Sequence, residues 1–226
     1  DEIDSGNKIM IPYSYGSTGV SYDAKKIFAR DPNPPIGSAD MLYDADTISK
    51  FADCGISILD SPTDVIPQAL VYLGYDDSSK DPDELQEAED LLHEARPYIK
   101  KFTSSTLLND LANGDVCIAM SWAGDYATAS ARAREAGKDI DLRYFVPEEG
   151  GLLWVDIIVI PKDAKNLENA YLLLDYLLRP EVSADFVNLT HYASPVPDAK
   201  PFIKEEVLND TAVYPTPEIM DRLFFT

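Results

Sequence analysis

An α/β fold is the class this sequence predicts, on three observations. Apolar runs of strand length alternate with helical patterns along the 226-residue chain. Helix punctuation separates them: Pro62 and Pro180 open helical patterns, and Gly114 closes one. A hydrophobic content of 45% with 10% aromatic residues belongs to a globular chain able to bury a sizeable core, as one large domain or two small ones. Strands alternating with helices predict a mostly parallel sheet covered on both faces.

The elements follow in order. "NKIMIPYSYG" reads as a strand entering a Gly-rich turn, followed by short helices at "DAKKIFAR" and "TISKFADCG". "ISILDS" is a strand, and "PTDVIPQALVYLGY" begins a helix with Pro62 in its first turn. "DPDELQEAEDLLHEARPYIKKF" has helical apolar spacing, with acids early and bases late. "SSTLLNDLANGD" predicts a short helix with a serine cap and Gly114 at its end. The strand Val116 to Met120 opens at "SWAGD", and a helix is expected from Asp125 to Ala136. "IDLRYFVP" is a further strand, and the continuous apolar run "LLWVDIIVIP" fits a buried one. "DAKNLENAYLLLDYLLR" is strongly amphipathic, a helix restarts at Pro180, and short helices close the proline-rich tail.

The formal net charge of −21 disfavours nucleic acid and anionic membrane surfaces as partners and favours a cationic ligand. Most of these carboxylates are equally well explained as solvated surface, as in "DDSSKDPDELQEAED". No apolar run approaches the roughly 20 residues of a membrane-spanning helix, so direct membrane insertion is not expected. The sequence has neither an initiator methionine nor a basic-then-apolar leader, so any signal peptide is expected to lie outside it. Neither His93 nor His191 has a nucleophile or metal-ligand spacing around it, and phosphate-loop and dinucleotide motifs are missing. No catalytic residue, metal or cofactor is therefore assigned. Asp60 and Asp64 leave an acid/base hydrolase as a minor alternative. Cys54 and Cys117 allow one disulfide, but two buried thiols fit the residues as well.

In open α/β sheets ligands bind beyond the carboxyl ends of strands. Asp60, Ser61 and Asp64 occupy one such end, and Trp122 to Asp125 another. The chain has only two tryptophans, Trp122 and Trp154, and each has an aspartate two or three residues on, Asp125 and Asp156. An aromatic face beside a carboxylate suits an organic cation. Asp125 also reads as a helix cap. Asp156, inside an apolar strand, needs a cationic partner from the protein or from a ligand.

Together "NKIMIPYSYGSTGVSYD", "CGISILDSPTDV", "LANGDVCIAMSWAGD", "EEGGLLWVDIIVIPKDAKNLENAYLLLDYLLRPEV" and "HYASPVP" resemble the periplasmic polyamine-binding proteins, the spermidine/putrescine receptors of bacterial ABC importers. The resemblance implies a type II periplasmic binding fold, two α/β lobes with a ligand cleft between them, one lobe incomplete in this chain. It implies residues 13–138 with 193–226 as most of one lobe, and 139–192 as part of the second. By the same matching, Trp122 and Asp125 look like an aromatic wall and amine-binding carboxylate, and Trp154 and Asp156 like a second pair. Asp64 stands where the family usually has a glutamate, so a bridging water is expected there, and Ser104 and Tyr192 match lesser cleft residues. Trp154 resembles the spermidine-preferring members. Cys54 and Cys117 fall where putrescine-type members carry cysteines, which favours their pairing. The implied protein is a monomeric, periplasmic, non-enzymatic receptor that hands a polyamine to a membrane permease of an ABC importer. A same-fold receptor for an amino acid, a sugar or ferric iron is the main alternative. Iron would want converging tyrosines, and the 13 here are scattered.

Overall fold

The computed structural model describes residue 4 and residues 6–225. A 13-residue strand, β1 (Ile11–Asp23), leads into α1 (Ala24–Arg30), α2 (Asp40–Tyr43) and α3 (Ala45–Ser49). Then come β2 (Ile56–Ile58), α4 (Pro62–Tyr72), α5 (Pro82–Ala95), β3 (Lys101–Phe102) and α6 (Leu107–Asn113). β4 (Ile118–Trp122) runs into α7 (Ala123–Glu135), followed by β5 (Leu142–Phe145) and β6 (Gly151–Ile158). The chain closes with α8 (Leu167–Leu177), α9 (Pro180–Thr190), α10 (Glu205–Leu208), α11 (Pro217–Met220) and β7 (Leu223–Phe224).

One sheet carries the strands in the order β3-β2-β4-β1-β6-β7, with β5 also on β1. It is mixed, where alternation predicted a mostly parallel one. β2 runs parallel to β3 and β4, and β6 to β7, but β1 is antiparallel to β4, β5 and β6. A helix between two strands specifies the layers, not the end from which the chain re-enters the sheet. β1 is also longer than expected, because it runs straight through the glycines that read as a turn. Both serve close approach: a Cβ on Gly16 would lie 2.5 Å from Trp154 Cζ2, and one on Gly19 would lie 2.5 Å from the Phe145 carbonyl oxygen.

The main core packs α1 to α6 against β1, β2 and β4, with Tyr43, Phe51, Ile27, Met41 and Leu111 fully buried. Cys54 and Cys117 form a disulfide with Cα atoms 5.5 Å apart. They precede the parallel neighbours β2 and β4, whose register pairs Ile56 with Ile118, so the bridge ties the entry points of two adjacent strands. A smaller cluster joins Ala127 of α7 to Ala184 and Val187 of α9 and to Ala193, Ile203 and Val213. Gly114 ends α6 in the left-handed region at φ +75°, as its position predicted. The expected serine cap of α6 is absent; Thr106 holds that position without a capping bond.

The second departure is β6. Its first residues are buried, but Val155, Asp156 and Ile157 are exposed. α8 is likewise open: Leu172 is 66% exposed while Leu174 is 5% exposed. The apolar runs of β6 and α8 are real, but among the described residues no element covers most of this face.

Candidate functional site

β1 and β6 continue past the carboxyl end of β4 as a two-stranded ribbon, because β4 pairs only with Thr18–Tyr22 of β1 while β6 pairs with Ile11–Thr18. The corner between that ribbon, Trp122 and the start of α4 is a cleft of about 490 Å³. Thr63, Asp64, Trp122, Trp154, Asp156 and Tyr192 line it, with Leu152 and Phe225 among the apolar walls. Tyr192 comes from a distant segment, held there because Ala193 exchanges two backbone hydrogen bonds with Tyr15 of β1.

Each acidic group has a neutral donor. Tyr192 donates its hydroxyl to Asp125 Oδ1 at 2.7 Å. Ser14 donates to Asp156 Oδ2 at 2.7 Å. Asp64, 5% exposed, accepts from Thr18 Oγ1 at 2.6 Å, from the Trp122 indole N–H at 3.1 Å, and from Ser61. No lysine, arginine or histidine lies within 4.0 Å of these three carboxylates among the described residues. Burial pushes the Asp125 carboxyl above its ordinary range, against the opposing pull of the Tyr192 hydroxyl and the more distant Arg132. Burial, then the charge of Asp125, pushes the Tyr192 phenol up as well. A proton on that phenol stays put at neutral pH, so Tyr192 is a donor.

The aromatic residues pack against one another. Trp154 and Tyr192 meet edge to face with centroids 5.2 Å apart. Gly124 lets the Tyr192 ring lie on α7, since a Cβ there would come 2.4 Å from Cε1.

Asp125 does not cap α7: the N-cap is Trp122, without a side-chain bond, and Asp125 turns to Tyr192 instead. Asp156 is not a charge in a buried strand, since the second half of β6 is open and its carboxylate meets Ser14 and solvent. Ser104 does not line the cleft; its Oγ is buried without a partner beyond β3, at the far edge of the sheet. Ser14, Gly16, Thr18 and Gly124 were not singled out from sequence. Their signal was the alternation Ser14-Gly16-Thr18, legible once the segment is a strand and hidden while its glycines read as a turn. Asp60, the hydrolase candidate, is exposed and outside the cleft.

An α/β scaffold with an acidic, aromatic cleft at strand ends has the architecture of a solute-binding protein. The model of the family described as bacterial extracellular solute-binding protein matches residues 3–215, and the chain belongs to that family. The putrescine-binding periplasmic protein PotF of Escherichia coli (strain K12) is 40% identical over 223 residues, covering 98% of this chain and 60% of that protein. The putrescine-binding periplasmic protein SpuD of Pseudomonas aeruginosa (strain UCBPP-PA14) is 38% identical over 222 residues, with the same coverage. A solved structure of the spermidine/putrescine ABC transporter substrate-binding protein PotD of Streptococcus pneumoniae superposes with a TM-score of 0.77 at 30% identity, over 97% of this chain and 63% of that one. The chain thus spans about 60% of the length of the curated relatives it matches.

Proposed function

We propose that the chain carries the greater part of the ligand cleft of an extracytoplasmic receptor for a polyamine, putrescine or spermidine, which it delivers to the permease of an ABC importer. The observation that carries this reading is the meeting of Trp122, Trp154 and the Asp156 carboxylate around one cleft, with Asp125 held just behind its wall by Tyr192 and, among the described residues, no lysine, arginine or histidine within 4.0 Å of either carboxylate. An alkyl diamine supplies what is missing. Its ammonium groups donate to Asp125 and Asp156, and its methylenes lie along the indoles. Cation–π contact adds about 0.5–2 kcal/mol per good geometry, and charge-assisted hydrogen bonds add to that. Desolvating an ammonium is costly, so carboxylates already held by Tyr192 and Ser14 lower the reorganisation that binding requires.

The receptor acts without chemistry on its ligand, in the periplasm, as a monomer. The lobe division 13–138 with 193–226 against 139–192 belongs to the same reading. The uncovered face of Val155, Ile157, Leu172 and Leu173 on the latter segment supports an incomplete second lobe. The names of the relatives support the polyamine as ligand. A thermal-shift series with putrescine, spermidine, an amino acid and a sugar tests it: only the polyamines should raise the midpoint. Stabilisation by the amino acid or sugar alone would replace the ligand class.

A further inference from the structure

Ser14, Gly16 and Thr18 alternate along β1 and therefore share one face. The sheet register sets Ser14 directly opposite Asp156 and Gly16 opposite Trp154 on one side, and Thr18 opposite Trp122 on the other. Opposed residues of an antiparallel pair have Cβ atoms about 5 Å apart, near enough for each to shape its partner. Three residues of one strand thus meet three lining residues of the cleft.

We propose that β1 is a positioning strand for the cleft: Ser14 orients Asp156, Gly16 seats Trp154, and Thr18 orients Trp122 by way of Asp64. The proposal deepens the polyamine reading and rests on it only for the identity of the ligand. Ser14, 1% exposed, spends its hydroxyl proton on Asp156. Gly16 leaves room for the six-membered ring of Trp154, which no residue with a Cβ does without moving it. Thr18, wholly buried, donates to Asp64 Oδ1, the same oxygen that accepts the Trp122 indole N–H.

Asp64 in this arrangement is a positioning residue for the Trp122 indole. An ionised carboxylate offers about four lone-pair sites. Thr18 and Trp122 occupy two on Oδ1, and Ser61 occupies one on Oδ2. One site on Oδ2 is left over, and the carboxylate also acts on the cleft through the indole. A hydrogen bond from the indole N–H to an anion polarises the ring towards greater electron density on its face, which strengthens attraction for a cation.

The test reads the indoles directly. The chain has two tryptophans, so a 15N-labelled sample gives two indole N–H resonances, assigned with Trp154→Phe. Thr18→Val should shift the Trp122 resonance and speed its exchange with solvent about tenfold, the equivalent of about 1.4 kcal/mol of protection. Thr18→Ser should keep both values near the parent's. Gly16→Ala should move the Trp154 resonance alone. Ser14→Ala should leave both indoles in place and weaken putrescine binding at least about tenfold, the scale of one hydrogen bond to a charged group. A folded Thr18→Val chain with an unchanged Trp122 resonance overturns the proposal. If Thr18→Val does not fold, Ser61→Ala read the same way decides, because it loosens the same carboxylate from a half-buried position. Failure of the parent to bind putrescine counts against the ligand, while the resonances still judge the positioning.

Discussion

Tyr192 donates its hydroxyl to Asp125 across 2.7 Å, joining a loop near the end of the chain to the first turn of α7. The carboxylate so held is largely removed from water, and burial raises its pKa. A carboxyl whose folded-state pKa is raised favours folding when neutral, and that contribution is lost as pH rises through the folded value. The ligand-free chain at neutral pH therefore carries an ionised Asp125 at a cost to stability. Asp125→Asn, which still accepts from Tyr192, should melt higher than the parent at pH 7.5. The gap should close as pH falls through the carboxylate range, and at roughly 2–4 °C per kcal/mol even a modest change is measurable. A lower midpoint at pH 7.5 would contradict this account.

Binding should show the opposite dependence on the same group. An ammonium is held by the ionised carboxylate, so affinity for putrescine should decline on acidification through the raised pKa of Asp125, before an ordinary carboxylate would protonate. Calorimetric titrations across pH 4.5–7.5 check it. An affinity that is flat with pH would remove Asp125 from the contact set.

Gly124→Ala probes the Tyr192 seat. The new methyl would stand 2.4–2.6 Å from three atoms of the ring, which has to move away from Asp125 and Trp154. Putrescine affinity should fall about tenfold, since the hydrogen bond and the aromatic contact are together worth at least about 1.4 kcal/mol. Unchanged affinity would mean that the position of Tyr192 does not matter to the ligand.

The disulfide closes a separation of 63 residues, which in the chain-entropy model is worth about 4 kcal/mol. Reduction, or Cys54→Ser with Cys117→Ser, should lower the melting midpoint by about 10 °C. A drop under about 2 °C would show that the β2 and β4 entry points are held by core packing alone.

Much of this was legible in the sequence, for identifiable reasons. Helices with strong punctuation were read close to their ends: Pro62 and Pro180 open α4 and α9. Trp122, Trp154 and Asp156 come to one cleft, while Asp125, in the first turn of α7, reaches it only by way of Tyr192. Strand direction was not legible, since local pattern carries no information about which end of the sheet a strand enters. Gly16 and Gly19 misled because glycine serves both tight turns and close packing, and only a distant partner, Trp154 or Phe145, distinguishes them. Ser104 failed for a related reason. Matching by order places a residue along the chain, but β3 lies at the sheet edge, away from the cleft.

Intrinsic fluorescence during a spermidine titration tests the central claim most directly, because both tryptophans of the chain line the cleft. The titration should extend into the millimolar range, where an interaction of about 4 kcal/mol still registers. The account predicts a saturable change in the parent and at least about a tenfold weaker midpoint in Asp156→Asn, about 1.4 kcal/mol for one charged contact. No saturable change in the parent, or equal midpoints in parent and variant, would contradict it.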